Sequence, residues 1–196
     1  MTAPQTRARP VSADGNGTAP IRTAVIIGST RQGRRGDRVG GWFVERAARH
    51  DGVDLDVVDL ACFDFPGHYP REATGPMAEF TSRVARAEAF VVVTPEYNRG
   101  YPASLKQAID YAYDEWHAKP VCFVSYGHRS EGRYAVEQLR TVFTELHTVT
   151  LRNSVNVNIM DTTSDDDGPA VDCMLDQLTW WGLALREARA VRPYVA

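Results

Sequence analysis

A polar loop rich in glycine and arginine follows the first apolar run of the sequence and could bind an anion. This first loop, Gly28–Asp37, reads Gly-Ser-Thr-Arg-Gln-Gly-Arg-Arg-Gly-Asp. Backbone amides at a helix start favour an anion, hydroxyl groups donate further hydrogen bonds, and a guanidinium can hold two phosphate oxygens at once. The loop therefore predicts a site for a terminal phosphate monoester, held by Ser29, Thr30 and Arg31. The alternative is a solvated basic turn that only connects two elements.

Three established phosphate motifs do not fit the first loop. The dinucleotide fingerprint G-x-G-x-x-G needs glycine where Thr30 stands. In a P-loop, Gly28 and Gly33 would have the right separation, but Arg34 and Arg35 replace the lysine and the hydroxyl residue. The loop also lacks the cysteine that a cysteine-dependent phosphatase would use there. An ATPase, a GTPase or such a phosphatase is therefore not expected.

Two further loops follow apolar runs and carry aromatic residues that could border a planar ligand. In the second loop, Thr94–Pro102, Pro95 fixes the direction in which the chain leaves a strand and Tyr97 offers a flat ring. The third loop, Ser125–Gly132, again combines an aromatic residue with glycine. For the second loop, an ordinary turn with an exposed tyrosine is the competing interpretation.

Apolar runs alternate with helical patterns along the chain. Ala89–Thr94 is a continuous β-branched stretch, typical of a strand buried on both faces, whereas Asp54–Leu60 mixes acidic and apolar residues like an outer strand. We predict strands at 23–28, 54–60, 89–94, 121–125 and 148–155, and helices at 38–50, 77–87, 103–116, 133–146 and 170–192.

This alternation predicts an α/β fold with a doubly wound, five-stranded parallel sheet and helices on both faces, because βαβ crossovers are right-handed. In such sheets ligands bind at the carboxyl ends of the strands, near the point where the strand order reverses. The three loops follow the first, third and fourth predicted strands. We therefore expect them to form one site.

Together these segments resemble the NADPH-dependent FMN reductase family of flavodoxin-like proteins. The resemblance rests on four segments in the expected order, and it spans residues 21–146. The four segments are Gly28–Arg31, Thr94–Asn98, Leu105–Asp110 and Ser125–Gly127. It implies a flavodoxin-like fold, bound FMN, and NADPH or NADH as the electron donor.

The resemblance also implies which residues contact FMN. Ser29 and Arg31 would bind the phosphate, beside Thr30. The isoalloxazine and ribityl chain would be lined by Pro95, Glu96, Tyr97 and Asn98, and the pyrimidine edge of the ring would meet Ser125, Tyr126 and Gly127. Because the flavin carries the chemistry, we expect no side chain to act as a general acid, a general base or a nucleophile.

The implied activity is hydride transfer from NADPH to bound FMN and electron transfer onward to a flavin, quinone, azo compound, nitro compound or metal oxyanion. A flavodoxin-like FMN electron carrier and a flavin-binding regulator without turnover are the alternatives. Such carriers are usually strongly acidic, whereas the formal net charge here is −3. The resemblance further implies a homodimer or a dimer of dimers, packed through the helix predicted from Ala103, and a flavin-dependent monooxygenase as a candidate partner.

Two segments depart from the family pattern. The family often has Ser-x-Pro-Gly after Tyr-Asn, whereas Arg99–Ala103 reads Arg-Gly-Tyr-Pro-Ala. The third loop has His128, Arg129 and Glu131 where smaller residues are common. Both segments lie where the donor or the acceptor should approach, so Arg99 and Arg129 are candidates to bind the NADPH phosphate or an anionic acceptor.

Length and composition favour a single domain over residues 21–196, after a disordered tail over residues 1–20 that is rich in Pro, Thr, Ser, Gly and Ala. The 22 basic residues are interspersed with 25 acidic ones, so we expect no nucleic-acid or membrane partner. The apolar runs are far shorter than the roughly 20 residues that span a bilayer. The basic start of the chain is followed by no apolar signal-peptide core, which favours a cytoplasmic location.

Cysteine and acidic residues suggest neither disulfides nor a metal. The chain has an odd number of cysteines without C-x-x-C spacing, which indicates a reducing compartment, and we expect each to be a small buried hydrophobe: Cys62, Cys122 and Cys173. The acidic run Asp165–Gly168 fails as a calcium loop, because the first and twelfth positions lack the required Asp and Glu. The histidines show no metal-ligand spacing, so no metal is expected.

Overall fold

The computed structural model describes residues 19–160 and 168–196. Its strands are β1 Ile21–Ile27, β2 Val53–Asp59, β3 Ala89–Pro95, β4 Pro120–Gly127 and β5 Val149–Asn158. Its helices are α1 Gly36–Ala47, α2 Gly75–Arg86, α3 Ala103–Ile109, α4 Arg133–Glu145 and α5 Gly168–Val191. Short 3-10 turns lie at Leu60–Cys62 and Asp114–Trp116. Residues 1–18 of the tail predicted at 1–20 lie outside the described residues. The acidic residues 165–167 also lie outside them.

The strands form one parallel sheet in the order β2-β1-β3-β4-β5. The chain starts near the centre at β1, moves outward to β2, and then crosses to the other side at β3, so the strand order reverses between β1 and β3. Ile27 pairs with both Asp59 and Val93, and Thr94 pairs with Ser125, so these strands end close together. The predicted doubly wound, flavodoxin-like architecture is confirmed.

Two apolar clusters cover the two faces of the sheet. Successive residues of a strand point to opposite faces, and β3 shows the result: Phe90 and Val92 pack with α2, α3 and α4, while Val91 and Val93 pack with α1 and α5. Every residue of β3 is buried. Burial on both faces explains why this strand is apolar throughout.

The helix predicted from Ala103 to Trp116 is shorter in the structure, where α3 ends at Ile109. The chain then turns so that Trp116 is fully buried, with its ring 4.6 Å from that of Phe90. The Trp116 indole N–H donates to the backbone carbonyls of Ile109 and Ala112, at 3.1 and 3.0 Å. The indole N–H thus attaches Trp116 to the end of α3 and to the turn that follows it. Burial of the Trp116 ring therefore accounts for a helix shorter than the apolar spacing predicted.

Two of the three cysteine predictions are wrong. Cys122 is buried as expected, but Cys62 and Cys173 are exposed. Cys62 ends the turn that follows the edge strand β2, and Cys173 lies on the outer side of α5, so neither position faces an apolar cluster. Among the described residues, no helix is long and apolar enough to cross a membrane.

Lys119 is a buried ammonium whose titration should affect stability. Its Nζ donates to the carbonyl oxygens of Val84 and Ala85 at the end of α2, at 3.0 Å each. Burial lowers the pKa of Lys119 to about 8, and the nearby Arg189 acts in the same direction. Below that pH the ammonium is charged in both the folded and the unfolded protein, so the free-energy cost of burying the charge lowers the stability of the folded protein in full. Between about pH 8 and the unfolded pKa of about 10.4, only the unfolded chain keeps the proton, so stability rises with pH.

Relative to the Lys119→Met variant, the wild-type protein should therefore gain about 1 to 3 kcal/mol of unfolding free energy between about pH 8 and pH 10.5. Urea unfolding at several pH values measures this difference. Lys106→Met is the matched control, because Lys106 is partly exposed in an ion pair with Asp110. Its stability difference from wild type should not follow this pH profile. Parallel wild-type and Lys119→Met profiles would contradict the prediction.

Candidate functional site

The three loops meet at the carboxyl edge of the sheet around one cavity of about 400 Å³. This central cavity is lined by residues 31–35 of the first loop, 95–97 of the second loop, 126–128 of the third loop, and Ile159 after β5. It lies where the strand order reverses, which is where a doubly wound sheet binds ligands. Its volume falls within the range of small-molecule sites, about 300 to 1,000 Å³. The three loops thus lie around one cavity, and the prediction that they bind one ligand there stays a prediction.

Basic side chains gather at the first loop. The loop leaves β1 through a hydrogen bond from the Gly28 N–H to the Val93 carbonyl, at 2.9 Å, and it turns at Gly33, where φ is +68°. Thr30, Arg31 and Arg35 are exposed. Exposed guanidinium groups and the start of α1 together make this end of the cavity favourable for an anion.

Ser29 lies behind the loop rather than on its surface. Its side chain is fully buried, and its hydroxyl accepts a hydrogen bond from the Tyr126 hydroxyl at 3.1 Å. Burial raises the pKa of Tyr126 to about 12, so the phenol stays protonated and can donate at neutral pH. A Cβ atom at Gly36 would lie 2.0 Å from the Ser29 hydroxyl oxygen. The first turn of α1 therefore needs glycine at that position to approach Ser29.

An ion pair that sequence reasoning missed holds the first loop. Arg34 Nη1 donates to the Ser29 carbonyl and to Asp59 Oδ1, both at 2.6 Å, and Nη2 donates to the second Asp59 oxygen. The hydrogen bonds to Asp59 raise the pKa of the Arg34 guanidinium. Asp59 ends β2, where its carboxylate also accepts the Ala61 N–H at 3.0 Å. Arg34 and Asp59 are 25 residues apart in the chain, and no local sequence pattern indicates that they pair.

The second loop is held in a tight conformation beside the cavity. Tyr97 and Gly100 exchange backbone hydrogen bonds of 2.8 and 3.0 Å, and the intervening Asn98 and Arg99 adopt positive φ values of 52° and 71°. The Arg31 guanidinium lies 4.8 Å from the centre of the Tyr97 ring. A cation over an aromatic face is attracted by the ring's π electrons, so this contact joins the first and second loops.

Ser125 supports the third loop from within. Its buried hydroxyl donates to the Glu131 carbonyl at 2.7 Å and accepts from Asn156 Nδ2 at 2.6 Å. The turn closes at Gly132, where φ is +85°. A Cβ atom at Gly132 would lie 2.6 Å from the Ser125 Cβ atom. Ser125 therefore shapes the loop, while Tyr126 and Gly127 face the cavity.

Six of the predicted site residues line the central cavity: Arg31, Pro95, Glu96, Tyr97, Tyr126 and Gly127. The other four do not line it. Ser29 and Ser125 are buried with hydrogen-bonded hydroxyls, and Thr30 and Asn98 are exposed. The lining residues that sequence reasoning did not select are Gln32, Gly33, Arg34, Arg35, His128 and Ile159. Their proximity depends on how the loops fold back over the sheet, which local patterns do not encode.

A second cavity of about 460 Å³ adjoins the first. This side cavity is lined by Glu96, Arg99, Gly127, His128, Arg129, Ser130 and Tyr134. It shares Glu96, Gly127 and His128 with the central cavity, so the two cavities adjoin at these three residues. Within residues 19–160 and 168–196, no group of three or more His, Cys, Asp or Glu side chains could hold a metal ion.

Comparison with known proteins agrees with this geometry. The model of a family described as NADPH-dependent FMN reductase matches residues 21–161. An NAD(P)H-dependent FMN reductase from Schizosaccharomyces pombe is 39% identical over 130 residues, which cover 60% of this chain and 63% of that protein. A 2-hydroxy-1,4-benzoquinone reductase from Burkholderia is 30% identical over 99 residues, which cover 49% of this chain and 52% of that protein. The chain spans less than two thirds of the length of either relative.

Among solved structures, the flavoenzyme FerB, an NAD(P)H:(acceptor) oxidoreductase from Paracoccus denitrificans, is similar with a TM-score of 0.71. The similarity covers 84% of this chain and 98% of that one, at 20% sequence identity. At this identity the likeness shows a shared fold.

Proposed function

The chain belongs to the NADPH-dependent FMN reductase family, and we propose that it passes hydride from NADPH, or NADH, to FMN in the central cavity and electrons onward to a small-molecule acceptor. One observation carries this proposal. Three loops from adjacent strands surround a single cavity whose lining combines Arg31, Arg34 and Arg35 with Pro95, Tyr97 and Gly127. A ligand that joins a phosphate to a planar ring suits such a lining.

The residues present fit FMN. In the first loop, Arg31 and Arg35 offer guanidinium groups to a phosphate, and the close approach of Gly36 to Ser29 leaves no room for a Cβ atom there. In the third loop, Gly127 packs so closely that a Cβ atom would lie 2.9 Å from the Gly132 nitrogen. Glycine at the end of β4 therefore lets the loop fold back tightly beside the cavity that Gly127 lines.

Bound FMN would supply the hydride and electron chemistry. In this proposal Arg31 and Thr30 bind the phosphate directly, while Ser29 holds the loop through Tyr126 and becomes a phosphate donor only if its side chain rotates. Pro95, Glu96, Tyr97 and Asn98 border the ring and ribityl chain. Tyr126 and Gly127 meet the pyrimidine edge, supported by Ser125. No side chain is assigned as a general acid or base.

Flavins, quinones, azo compounds, nitro compounds and metal oxyanions are the proposed acceptors. For a quinone the reaction balances simply: NADPH provides a hydride, which is two electrons and one proton, and water provides the second proton of the hydroquinone. The quinone reductase relative supports this acceptor class.

We also propose that the protein is a cytoplasmic homodimer, packed through α3 and the neighbouring residues Tyr69 and Tyr113. A flavin-dependent monooxygenase is a candidate recipient of its reduced FMN. Tyr69 and Tyr113 are 68% and 53% exposed, and the Tyr69 ring lies 5.5 Å from that of Tyr111. Aromatic rings of this kind are enriched at protein interfaces. Light scattering coupled to size-exclusion chromatography tests the assembly, and a monomeric mass would overturn it.

The test of function is the visible spectrum of the purified protein with and without added FMN, followed by anaerobic addition of NADPH. Perturbed flavin bands that bleach rapidly, and turnover with a quinone, are expected. Bound flavin that stays oxidised would favour an electron carrier or a flavin-binding regulator. Failure to bind FMN would overturn the assignment of all three loops.

A further inference from the structure

The side cavity holds two arginine side chains that form no ion pair with a carboxylate of the described chain. Among the described residues, the Arg129 side chain has no hydrogen bond, ion pair or ring contact, and the Arg99 guanidinium has one contact, with the Tyr134 ring. The nearby carboxylates have other partners. Glu96 accepts the Tyr134 N–H at 3.2 Å, and Glu131 pairs with Arg133. Two arginines face the single carboxylate of the lining, Glu96, so the cavity carries an excess of positive charge.

Arg99 is held in place before any ligand binds. Its backbone lies inside the hydrogen-bonded Tyr97–Gly100 turn with a φ of +71°, and its carbonyl accepts a hydrogen bond from Gln138 Nε2 at 2.8 Å. Its guanidinium carbon lies 4.0 Å from the centre of the Tyr134 ring. A cation fixed in this way loses little conformational entropy when it binds an anion.

The same cavity offers a flat apolar surface. Tyr134 lies in the first turn of α4 and is 47% exposed, so part of its ring remains open to a ligand. The positive end of the α4 helix dipole points toward this region. Because the side cavity shares Glu96, Gly127 and His128 with the central cavity, its arginines lie close to the position proposed for the flavin ring.

We propose that the side cavity selects planar aromatic acceptors with a fixed negative charge, such as quinones or azo compounds that carry a sulfonate or carboxylate. The anionic group contacts Arg99 and Arg129, and the aromatic ring extends between Tyr134 and the central cavity. The charged substituent of such an acceptor is attached to the ring that reacts at the flavin, whereas the phosphates of NADPH are far from its reacting nicotinamide ring. Arginines beside the position proposed for the flavin therefore suit the acceptor's substituent better than a phosphate of NADPH. This inference rests on the proposed function. During quinone reduction the charged substituent is unchanged. NADPH supplies a hydride and water supplies the second proton of the hydroquinone.

The first test measures binding without turnover. FMN-loaded, oxidised protein is titrated calorimetrically with naphthalene-2-sulfonate and with its neutral counterpart naphthalene-2-sulfonamide. We expect the sulfonate to bind about tenfold more tightly, as charge-assisted hydrogen bonds would give. Arg99→Gln and Arg129→Gln should each weaken sulfonate binding about three- to tenfold and change sulfonamide binding less than about twofold. Arg192→Gln, which removes the same charge at the far end of α5, is the control and should change neither.

The second test measures kcat/KM for 1,4-naphthoquinone-2-sulfonate and for uncharged 1,4-naphthoquinone, with NADPH and with NADH as donors. The arginine variants should lose selectivity for the sulfonate with both donors. Equal binding of sulfonate and sulfonamide by the wild type would overturn the inference. So would variants that raise KM for NADPH alone, because the arginines would then serve the donor phosphate. The flavin spectrum of each sample, with its bleaching by NADPH, shows separately whether the proposed function itself has failed.

Discussion

Replacing Gly132 by alanine is expected to lower the free energy of unfolding by about 3 kcal/mol, the combined cost of a left-handed backbone and of overpacking. The φ of Gly132 is +85°, a conformation that L-residues with a Cβ atom rarely adopt. The new Cβ atom would lie 2.6 Å from the Ser125 Cβ atom and 2.8 Å from the Tyr126 backbone nitrogen. The backbone of β4 cannot move away without breaking its pairing with β3 and β5.

Chemical denaturation followed by tryptophan fluorescence measures this loss. Gly41→Ala is the matched control, since a Cβ atom at Gly41 meets no atom within 4 Å. Gly41 lies within α1, where alanine should stabilise the helix by up to about 1 kcal/mol. The two glycine substitutions should therefore act in opposite directions. An unchanged midpoint for Gly132→Ala would show that the third loop can close without a left-handed residue.

Replacing Arg34 by methionine should weaken FMN binding about 100-fold, because charge-assisted hydrogen bonds are lost and a charged partner is left behind. Arg34 joins the Ser29 carbonyl in the first loop to Asp59 at the end of β2. Methionine keeps the apolar length of the side chain but donates no hydrogen bond. The Asp59 carboxylate would then lack its guanidinium partner, and the first loop would lose its attachment to the sheet.

FMN titrations monitored by flavin fluorescence provide the measurement, with Arg38→Met as the control. Arg38 is an exposed arginine of α1, so its loss removes the same charge without detaching the loop. Asp59→Asn separates two roles for Arg34. If Arg34 positions the loop, this change should weaken FMN binding about tenfold. If Arg34 is instead a phosphate ligand held back by Asp59, the change would tighten binding and contradict the positioning role.

Local patterns were sufficient to predict most of the fold. The apolar run of β3 predicted a strand buried on both faces, and the alternation of strands and helices predicted the parallel sheet that the structure has. Hydrophobic periodicity succeeds here because each element must bury a face against its neighbours. The end of α3 was not predictable, because it depends on where Trp116 finds space among Phe90 and its neighbours.

The sequence predicted which loops would lie together, and it predicted only part of their geometry. Glycine, hydroxyl and arginine residues after a buried strand pointed to a loop that does border a cavity, and Arg31 and Tyr97 line that cavity. Ser29 and Ser125, which are hydroxyl residues in these loops, were expected to contact FMN. Both hydroxyls are instead buried and hydrogen-bonded within the protein. Residue type shows that a side chain can bind an anion, but its orientation depends on which partners the fold brings near.

By itself, the sequence determined the order of strands and helices, the three loops that meet at the carboxyl edge of the sheet, and the family, since these follow from local periodicity and from motifs within single loops. Only the tertiary structure decided that Arg34 pairs with Asp59, that Ser29 bonds to Tyr126, and that two arginines share a side cavity. These contacts join residues that are distant in the chain. Their geometry is set by how neighbouring strands bring loop ends together, and no single segment contains that information.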